Sequence, residues 1–523
     1  MKKKGGPRMA ESEPKGIALL WKTEDWLAVW VGFLIILLIL GGLTIAVPKF
    51  KWTTSGEFAS FVKETAPAVD ALATSAGEKQ EKALQADAAA LKAAIDTGDR
   101  VAIGEAAKKL EATSKTAADE GLKKKAGKLG KDVAGQAGSL LTKVFSGANI
   151  MAAVYVGIGF LVLSMIALAF LGEKAGKVVA GFPVVFIIAW LGQLIAGNYT
   201  INSTLGIEYV LWCLFLGLFI SNVIGLPEWL KPAVRTEFYI KTGLVILGSG
   251  ILFTEIVQAG FLGIVQAVLV VSVVWYFTWW IAKKMKVDDE FAAVLSSAVS
   301  ICGVSAAIAT GGAIKADSKK ISYVTSIVLI CAIPMMILQP IIAKWVGMSD
   351  VVAGAWLGGT LDTSGSVVAA GALISDAAMK TGVIVKMSQN VLIGVAAFIL
   401  SIVWTLKACK TTGNQQTPSA SEIWHRFPKF VLGFIVASLL FSFAVSPATL
   451  AATKGALGGL RTWWFALAFT CIGLETHFGD LAKMEGGRPA FAFLIGQGFN
   501  IIWTLILAWI LFGGVIFAVP AIK

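Results

Sequence analysis

Twelve apolar segments of nearly bilayer-spanning length follow one another from residue 148 onward. A transmembrane helix needs about 20 mainly apolar residues, because lipid offers no partner to an unpaired backbone polar group. With 56% hydrophobic and 15% charged residues, the chain is too apolar for an ordinary soluble protein. The pattern predicts an all-α polytopic membrane protein. The predicted segments are 150 to 171, 178 to 197, 208 to 226, 239 to 258, 260 to 282, 290 to 314, 321 to 345, 351 to 374, 388 to 406, 430 to 447, 462 to 480 and 491 to 518.

A further apolar segment lies near the N-terminus, at residues 25 to 48. It is longer than the apolar core of a signal peptide, roughly 7 to 15 residues, and so predicts an uncleaved transmembrane anchor. Residues 1 to 24 are rich in lysine, which places this N-terminal tail in the cytoplasm by the positive-inside rule. The chain is therefore expected to have about thirteen membrane segments.

Residues 49 to 147 differ from the rest, being rich in Ala, Lys, Glu, Asp and Gly. Their composition predicts a soluble helical insert, an antiparallel hairpin that turns near residues 96 to 99. The insert is expected outside the cytoplasm, because it follows a span that leaves the cytoplasm. It either binds a partner as a coiled coil or serves as a solvated spacer or lid. Residues 148 to 523 form the main domain, of about twelve membrane segments.

The basic connections between segments fall on the cytoplasmic side when the N-terminus is cytoplasmic. Segments 290 to 314 and 351 to 374 can both span the membrane or both re-enter it without changing any later orientation. The basic residues at 315 to 320 favour re-entrant segments, because only then does their loop stay inside. Residues 243 to 260 also resemble residues 465 to 483 in the opposite orientation, which is typical of inverted-repeat secondary transporters.

Small polar residues and glycines interrupt two of the apolar segments, in SSAVSICGVSAAIATGGAIKAD (296 to 317) and GGTLDTSGSVVAAG (358 to 371). Such residues let a helix stop and restart, which exposes N–H groups that attract anions and carbonyl groups that attract cations. Tight helix packing through small residues is the alternative. The residues predicted to bind substrate here are Cys302, Gly303, Ser305, Thr363, Ser364, Gly365 and Ser366.

Two ionisable residues stand out within the apolar segments, where charge is costly and therefore usually functional. Asp362, with Thr360 and Thr363, is predicted to bind a coupling H⁺ or Na⁺, although it could instead cap the second half-helix. Lys386 is predicted to neutralise an anionic substrate or to pair with Asp362, the alternative being a side chain that snorkels to the interface.

Other chemistries find little support in the sequence. Glu255, Glu475 and His477 are interpreted as polar helix ends at the interface. The chain lacks the GxxxxGK[ST], GxSxG and HExxH motifs, so we expect no enzyme activity and no cofactor. Its five cysteines are scattered and its two histidines lie far apart, so no metal site is expected. The basic residues lie in short connections, which argues against a nucleic-acid partner.

Four stretches, ICGVSAAIAT (301 to 310), GGTLDTSGSVVAAG (358 to 371), VIVKMSQNVLIG (383 to 394) and CIGLETHF (471 to 478), resemble the YeiH-type sulfate exporter family of bacterial inner-membrane proteins. The resemblance covers roughly residues 178 to 518. It implies an inner-membrane location and a fold related to sodium/proton antiporters and bile-acid symporters, in which two discontinuous helices cross. The chain departs from the family pattern at Gln389, where a basic residue often follows the lysine, and in its anchor and insert.

Three functions follow as hypotheses. The first is a secondary active transporter that moves a small anion, such as a sulfate-like oxyanion or a sulfonate, coupled to H⁺ or Na⁺. The second is a cation/proton antiporter in which Asp362 binds the cargo itself. The third is a membrane receptor or assembly scaffold that acts through the insert. Assembly into a homo-oligomer is left open.

Overall fold

The structure of the protein is a computed structural model that describes residues 19–204, 209–251, 253–412, 424, 427–476 and 487–522. Helices account for all regular structure in these ranges apart from one isolated bridge between Trp52 and Asn198, which confirms the all-α class. The tail residues 1 to 18 and His477 lie outside the described residues. The α-helices of nine or more residues are α1 (Glu24–Leu40), α2 (Ser55–Glu78), α3 (Lys82–Thr97), α4 (Arg100–Ser114), α5 (Glu120–Gly138), α6 (Gly147–Phe170), α7 (Ala175–Ala196), α8 (Tyr209–Phe219), α9 (Thr236–Gly248), α10 (Phe253–Lys284), α11 (Asp289–Ser297), α12 (Gly303–Ile314), α13 (Ser318–Val346), α14 (Asp350–Thr360), α15 (Ser364–Ala372), α16 (Asp376–Thr412), α17 (Phe430–Leu439), α18 (Pro447–Glu475) and α19 (Gly487–Phe512).

Eight helical stretches within the described ranges are long and apolar enough to cross a membrane. They are α6, α7, α10, α13, α16, α18, α19 and the stretch formed by α11 and α12. The other five predicted segments form helices of at most 17 residues, because they end early or are interrupted: α1, α8, α9, α17 and the pair α14 and α15. The structure therefore supports a multi-pass membrane protein.

The chain forms two compact units. One consists of residues 1–45, 157–189 and 213–523, and the other of residues 46–156 and 190–212. The second unit contains the insert, whose helices α2 to α5 pack around fully buried residues such as Val69, Leu91, Leu110 and Val133. The predicted turn at residues 96 to 99 joins α3 to α4, but the insert has four long helices, and a short one at Leu141–Val144, where a two-helix hairpin was predicted. A single hairpin leaves its apolar stripes exposed, whereas four helices enclose them.

Hydrogen bonds connect the helices of the insert to one another and to other segments of the same unit. Arg100, at the start of α4, donates to the carbonyl groups of Thr53, Gln136, Ala137 and Ser139. Residue Glu57 accepts hydrogen bonds from Thr200 and from Asn198 in the segment that follows α7. The backbone N–H of Trp52 donates to Gly197 at 2.9 Å. The start of the insert is thus fixed to residues 197–200.

Helix α9 of the other unit is buried along most of its length. A Cβ atom at Gly243 would lie 2.4 Å from the ring of Phe465, which shows how closely α9 packs on α18. Thr236 at the start of α9 donates to Glu475 at the end of α18, so the two helices run antiparallel. The anchor α1 packs on the same helix, because a Cβ atom at Gly32 would lie 2.6 Å from the side chain of Val245. The anchor is therefore an integral part of this unit.

Candidate functional site

The first interruption lies between α11 and α12. A π-helical turn at Ala298–Cys302 ends α11, and Gly303 then takes a φ angle of +25°, which residues with a side chain rarely adopt. The backbone changes direction there and α12 begins at Gly303. The N-cap residue Cys302 makes no side-chain hydrogen bond to the first turn of α12. Within the described part of the chain, the N–H groups of that turn therefore have no side-chain cap from their N-cap residue.

The second interruption separates α14 from α15. Helix α14 ends at Thr360, and the backbone of Leu361 is extended. Thr363 is the N-cap of α15, and its hydroxyl accepts a hydrogen bond from the N–H of Ser366 at 3.1 Å. The alternative interpretation of Asp362 as the cap is therefore wrong, because the threonine that follows it has the extended backbone and the short hydroxyl that this position needs.

The two interruptions touch each other. A Cβ atom added to Gly303 would lie 2.9 Å from the carbonyl oxygen of Asp362 and 3.0 Å from its Cβ atom. It would also lie 2.4 Å from the side chain of Val328 on α13. Only glycine allows the backbones to approach this closely, so Gly303 joins the two candidate site segments.

Buried side chains hydrogen-bond the carbonyl groups that the interruptions release. Lys386 donates to Ile301 at 2.8 Å, and Asn500 donates to Val299 at 3.1 Å. At the other interruption, Gln389 donates to Gly359 at 3.0 Å and Gln497 donates to Thr360 at 2.8 Å. These four carbonyl oxygens already have donors, as backbone polar groups buried away from water require.

Lys386 is buried in the middle of α16, with an exposed fraction of 2%. Its ammonium group donates to the carbonyl of Ile301 and to the side chain of Gln389, both at 2.8 Å. The side chain therefore does not snorkel to the interface. Its ammonium group binds these protein oxygens and makes no direct ion pair with Asp362.

A cavity of about 340 Å³ opens beside the two interruptions. Asp362 has an exposed fraction of 1%, and its Oδ2 atom finds no hydrogen-bond partner among the described residues. The same holds for the Oδ1 atom of Asn390, whose Nδ2 atom donates to Ser364. The residues from the interruptions that line this Asp362 cavity are Cys302, Val304, Ser305, Asp362, Thr363 and Ser364.

A small ion-pair cluster lines another part of the Asp362 cavity. The ammonium group of Lys241 lies 2.8 Å from the carboxylate of Asp25 and 3.2 Å from that of Glu237. Asp25 also accepts a hydrogen bond from the backbone N–H of Lys429 at 2.8 Å. Lys241 thus offsets the charge of two of the three carboxyl groups in the cavity. The anchor helix contributes one of them, which its separate position in the sequence gives no reason to expect.

The predicted site residues divide into two groups. Cys302, Ser305, Asp362, Thr363 and Ser364 line the cavity together. The others do not line the cavity and instead contact neighbouring residues. Gly303 packs on Asp362, and Gly365 packs on Ile240 and Ile472. Ser366 hydrogen-bonds to Thr363, Thr360 to the carbonyl of Trp356, and Lys386 to the carbonyl of Ile301.

Three amide residues at the site were not among the predicted site residues. Asn390 lines the cavity, whereas Gln497 and Asn500 on α19 hold carbonyl groups of the two interruptions. The sequence contains a weak indication of two of them, because GQGFN (496 to 500) places two amide side chains inside an otherwise apolar helix. Polar residues at such depth are expensive and need a partner, and here the partners are the released carbonyl groups.

Comparison with known proteins identifies a family and several relatives. Residues 180–492 match the family model described as Conserved hypothetical protein 698. A UPF0324 membrane protein of Rhodopirellula baltica is 41% identical over 350 residues, which are 65% of this chain and 64% of that protein. A UPF0324 membrane protein of Nitratidesulfovibrio vulgaris is 38% identical over 383 residues, which are 71% of this chain and 65% of that protein.

The chain thus covers just under two thirds of the length of these two relatives. A UPF0324 membrane protein of Nitrosomonas europaea is 31% identical over 384 residues, which are 64% of this chain and 78% of that protein. No solved structure matches the chain. The family match includes both interruptions and Lys386 and Gln389 of α16, and it ends before Gln497 and Asn500 of α19. The relatives named are bacterial membrane proteins. The chain therefore belongs to the Conserved hypothetical protein 698 family, whose members include these UPF0324 membrane proteins.

Proposed function

We propose that the protein is a secondary active transporter of a small anion, a sulfate-like oxyanion or a sulfonate, across the bacterial inner membrane. The N-terminus is cytoplasmic, the insert is extracytoplasmic, and H⁺ or Na⁺ is the coupling ion. The substrate enters the Asp362 cavity and binds where α12 and α15 begin. The protein carries out no enzymatic reaction and needs no cofactor in this proposal.

One observation carries the choice of an anion. Four released carbonyl groups at the interruptions already accept hydrogen bonds from Lys386, Gln389, Gln497 and Asn500, which makes these oxygens weaker ligands for a cation. The first turn of α12, by contrast, has no side-chain cap, and Val304 and Ser305 of that turn line the cavity. Uncapped N–H groups at the positive end of a helix favour an anion.

The hydroxyl-bearing residues complete the anion site. Ser305 and Ser364 both line the cavity, each in the first turn of a half-helix. A hydroxyl group can donate to an oxyanion, which adds to the backbone N–H groups nearby. Two half-helices that begin at one cavity thus direct their positive ends and their side-chain donors toward the same ligand.

Asp362 is the coupling residue in this proposal. Its carboxyl group is buried at the cavity and one of its oxygens has no partner among the described residues, so an incoming H⁺ or Na⁺ gains a ligand there. An unpaired carboxylate at membrane depth is costly, and binding a cation or proton removes that cost. Anion and coupling ion then occupy neighbouring positions and attract each other.

Re-entry of α11 and α12 from one side of the membrane is supported by Lys320. It binds Asp288 at 2.7 Å and Glu290 at 2.9 Å, at the start of α11, although it follows the end of α12. A straight helix over the 26 residues from Asp289 to Ile314 would be about 39 Å long. Six further residues reach only about 20 Å when extended, so Lys320 could not return across a straight helix.

The pair α14 and α15 also turns back on itself. Gly354 and Gly358 of α14 approach Ala378 and Gly382 of α16, in parallel order. Gly371 of α15 approaches Met379, and Ser364 bonds to Asn390, in antiparallel order. Helix α15 therefore turns back along the path of α14. Together with the antiparallel contact between the repeated sequences on α9 and α18, these pairs support an inverted-repeat architecture and alternating access by rocking of one bundle.

The test is the Asp362→Asn variant reconstituted in proteoliposomes, with Asp350→Asn as the matched control. Both changes replace one carboxylate by an amide on the α14–α15 stretch, but Asp350 is exposed in the first turn of α14. We expect Asp362→Asn to fold and to lose uptake of radiolabelled sulfate driven by an ion gradient, while Asp350→Asn keeps it. Gradient-driven uptake by Asp362→Asn equal to that of the unmodified chain would overturn the assignment.

A cation/proton antiporter is the second candidate, and the unpartnered oxygen of Asp362 favours it. In that case Asp362 binds the cargo and no anion site exists. Thermal unfolding of the purified protein separates the two. Stabilisation by sulfate at constant Na⁺ supports the anion transporter, whereas stabilisation by Na⁺ alone supports the antiporter.

A further inference from the structure

A second cavity of about 420 Å³ lies at the other end of α9 from the Asp362 cavity. The two cavities share no lining residue. Lys241 lines the Asp362 cavity and Ile246 lines the second, a separation of five residues or roughly 7.5 Å along the helix axis. We call the second one the Arg461 cavity. It is lined by the ends of α9 and α10 and by residues of α16 and α18, among them Ser249, Glu255, Asp376, Lys380, Lys454 and Arg461.

The charged lining of the Arg461 cavity carries an excess of cations. Lys380, Lys454 and Arg461 face two carboxylates, Glu255 and Asp376. Asp376 lies 3.0 Å from Lys380 and 4.0 Å from Arg461, so a single carboxylate is shared between two cations. The side chains of Lys380 and Arg461 are only 8% and 21% exposed, and a poorly hydrated cation attracts any anion that can reach it.

The guanidinium group of Arg461 makes few contacts with the described residues. A guanidinium group has five N–H donors in a planar fork, which fits the oxygens of a sulfate- or carboxylate-type anion. The Nε atom of Arg461 is buried and has no hydrogen-bond partner in the part of the chain that the structure describes. Its contact with Asp376 is long, at 4.0 Å. Lys454, which is exposed, adds a second cation at the same cavity.

We propose that the Arg461 cavity is a second binding site for a small oxyanion, separate from the Asp362 cavity. Arg461 and Lys454 bind the oxyanion, and Asp376 competes with it for Arg461 and Lys380. The chemical class of the ligand rests on the proposed function, because the site would hold the transported anion at the opposite end of α9. The presence of an anion site rests only on the cation excess and on the few contacts that Arg461 makes with the described residues.

Equilibrium binding to the purified full chain in lipid nanodiscs tests the proposal, with radiolabelled sulfate and methanesulfonate as probes. Arg461→Gln and Lys454→Gln remove one cation each from the cavity. Lys344→Gln is the matched control, because Lys344 is an exposed lysine near the end of α13 that lines neither cavity. We expect Arg461→Gln to lose one of two anion sites or to weaken it by about tenfold, and Lys344→Gln to bind as the unmodified chain does.

Asp376→Asn provides a variant that gains binding. Removal of the competing carboxylate is expected to tighten the same site, which a variant with a general folding defect would not do. Unchanged stoichiometry and affinity in both Arg461→Gln and Asp376→Asn would overturn the second site, as would failure of the unmodified chain to bind either probe. Arg461-dependent binding without any transport by the unmodified chain would refute the transporter while leaving this site established.

Discussion

Gly303 lies directly against Asp362, since a Cβ atom at residue 303 would meet the carbonyl oxygen of Asp362 at 2.9 Å. This contact holds two separate helix interruptions together at one cavity. It explains why the first interruption contains a glycine with a φ angle of +25° rather than any other small residue. The position of the carboxyl group that we assign to coupling therefore depends on the absence of a single methyl group.

Gly303→Ala is expected to push the interruptions apart. The added methyl group would lie 2.4 Å from Val328 as well as close to Asp362, and alanine also disfavours the required φ angle. Overpacking and backbone strain of this kind cost about 1 to 3 kcal/mol each. We expect a lower unfolding temperature and a loss of sulfate uptake in proteoliposomes.

The control is Gly498→Ala on α19, where an added Cβ atom meets no other atom within 4 Å. Alanine has a higher helix propensity than glycine, so this variant should be at least as stable as the unmodified chain. Equal stability and uptake in Gly303→Ala and Gly498→Ala would contradict the close contact.

Asn500→Leu tests whether the amide side chains hold the released carbonyl groups. The substitution keeps a branched side chain with the same number of heavy atoms but removes the donor to Val299 and the acceptor for Thr504. A buried carbonyl left without a donor costs about 1 to 3 kcal/mol, so the free energy of unfolding should fall by that amount. Gln85→Leu, at an exposed position of the insert, is the matched amide-to-leucine control. An Asn500→Leu protein that unfolds like this control would show that the carbonyl of Val299 needs no side-chain donor.

The pattern of the sequence predicted much of this architecture, and the reason is physical. Apolar length identifies membrane segments because lipid imposes a fixed span, and glycine and serine within such a segment mark positions where a helix can stop. Thr360 to Ser364 illustrate the second point: α14 ends and α15 begins there, where the small polar residues cluster.

The residue pattern of the sequence could not predict contacts between distant segments. Lys386 was predicted to neutralise an anionic substrate or to pair with Asp362, with snorkelling to the interface as the alternative. Its ammonium group binds the carbonyl of Ile301, a partner 85 residues away in the sequence. The ion pair between Asp25 and Lys241 could not be predicted for the same reason, because nothing in the sequence of the anchor shows that α1 packs on α9. Local residue choice reveals where a helix breaks, but only the fold reveals which side chain then satisfies the exposed groups.

The insert should respond to acid through Glu57. Burial raises the pKa of Glu57, but hydrogen bonds from Thr200, Thr54 and Asn198 outweigh it and lower the pKa from 4.5 to about 2. Because the folded pKa lies below the unfolded one, the stabilisation is complete above about pH 4.5 and is lost as the pH falls toward 2.

Hydrogen exchange of residues 197–200 in the full chain measures this effect. Protection should decrease as the pH falls between about 4.5 and 2, after correction for the intrinsic exchange rate. Glu57→Gln cannot titrate, so its protection in this segment should be lower at neutral pH and should change less over the same range. Identical pH profiles for the two proteins would show that Glu57 does not hold this segment.

Deletion of residues 52 to 145 decides between an accessory insert and a receptor or scaffold that works through it. The ends of the insert already lie side by side, because Lys49 donates to Asn149 at 2.8 Å and Asn149 donates back to Lys49 at 3.0 Å. Joining residue 51 to residue 146 therefore needs little movement of the chain on either side. The residues that line the Asp362 and Arg461 cavities all lie outside the deleted range. We expect the shortened protein to remain monodisperse and helical and to keep gradient-driven sulfate uptake. A shortened protein that folds but no longer takes up sulfate would assign the activity to the insert, in favour of the receptor or scaffold.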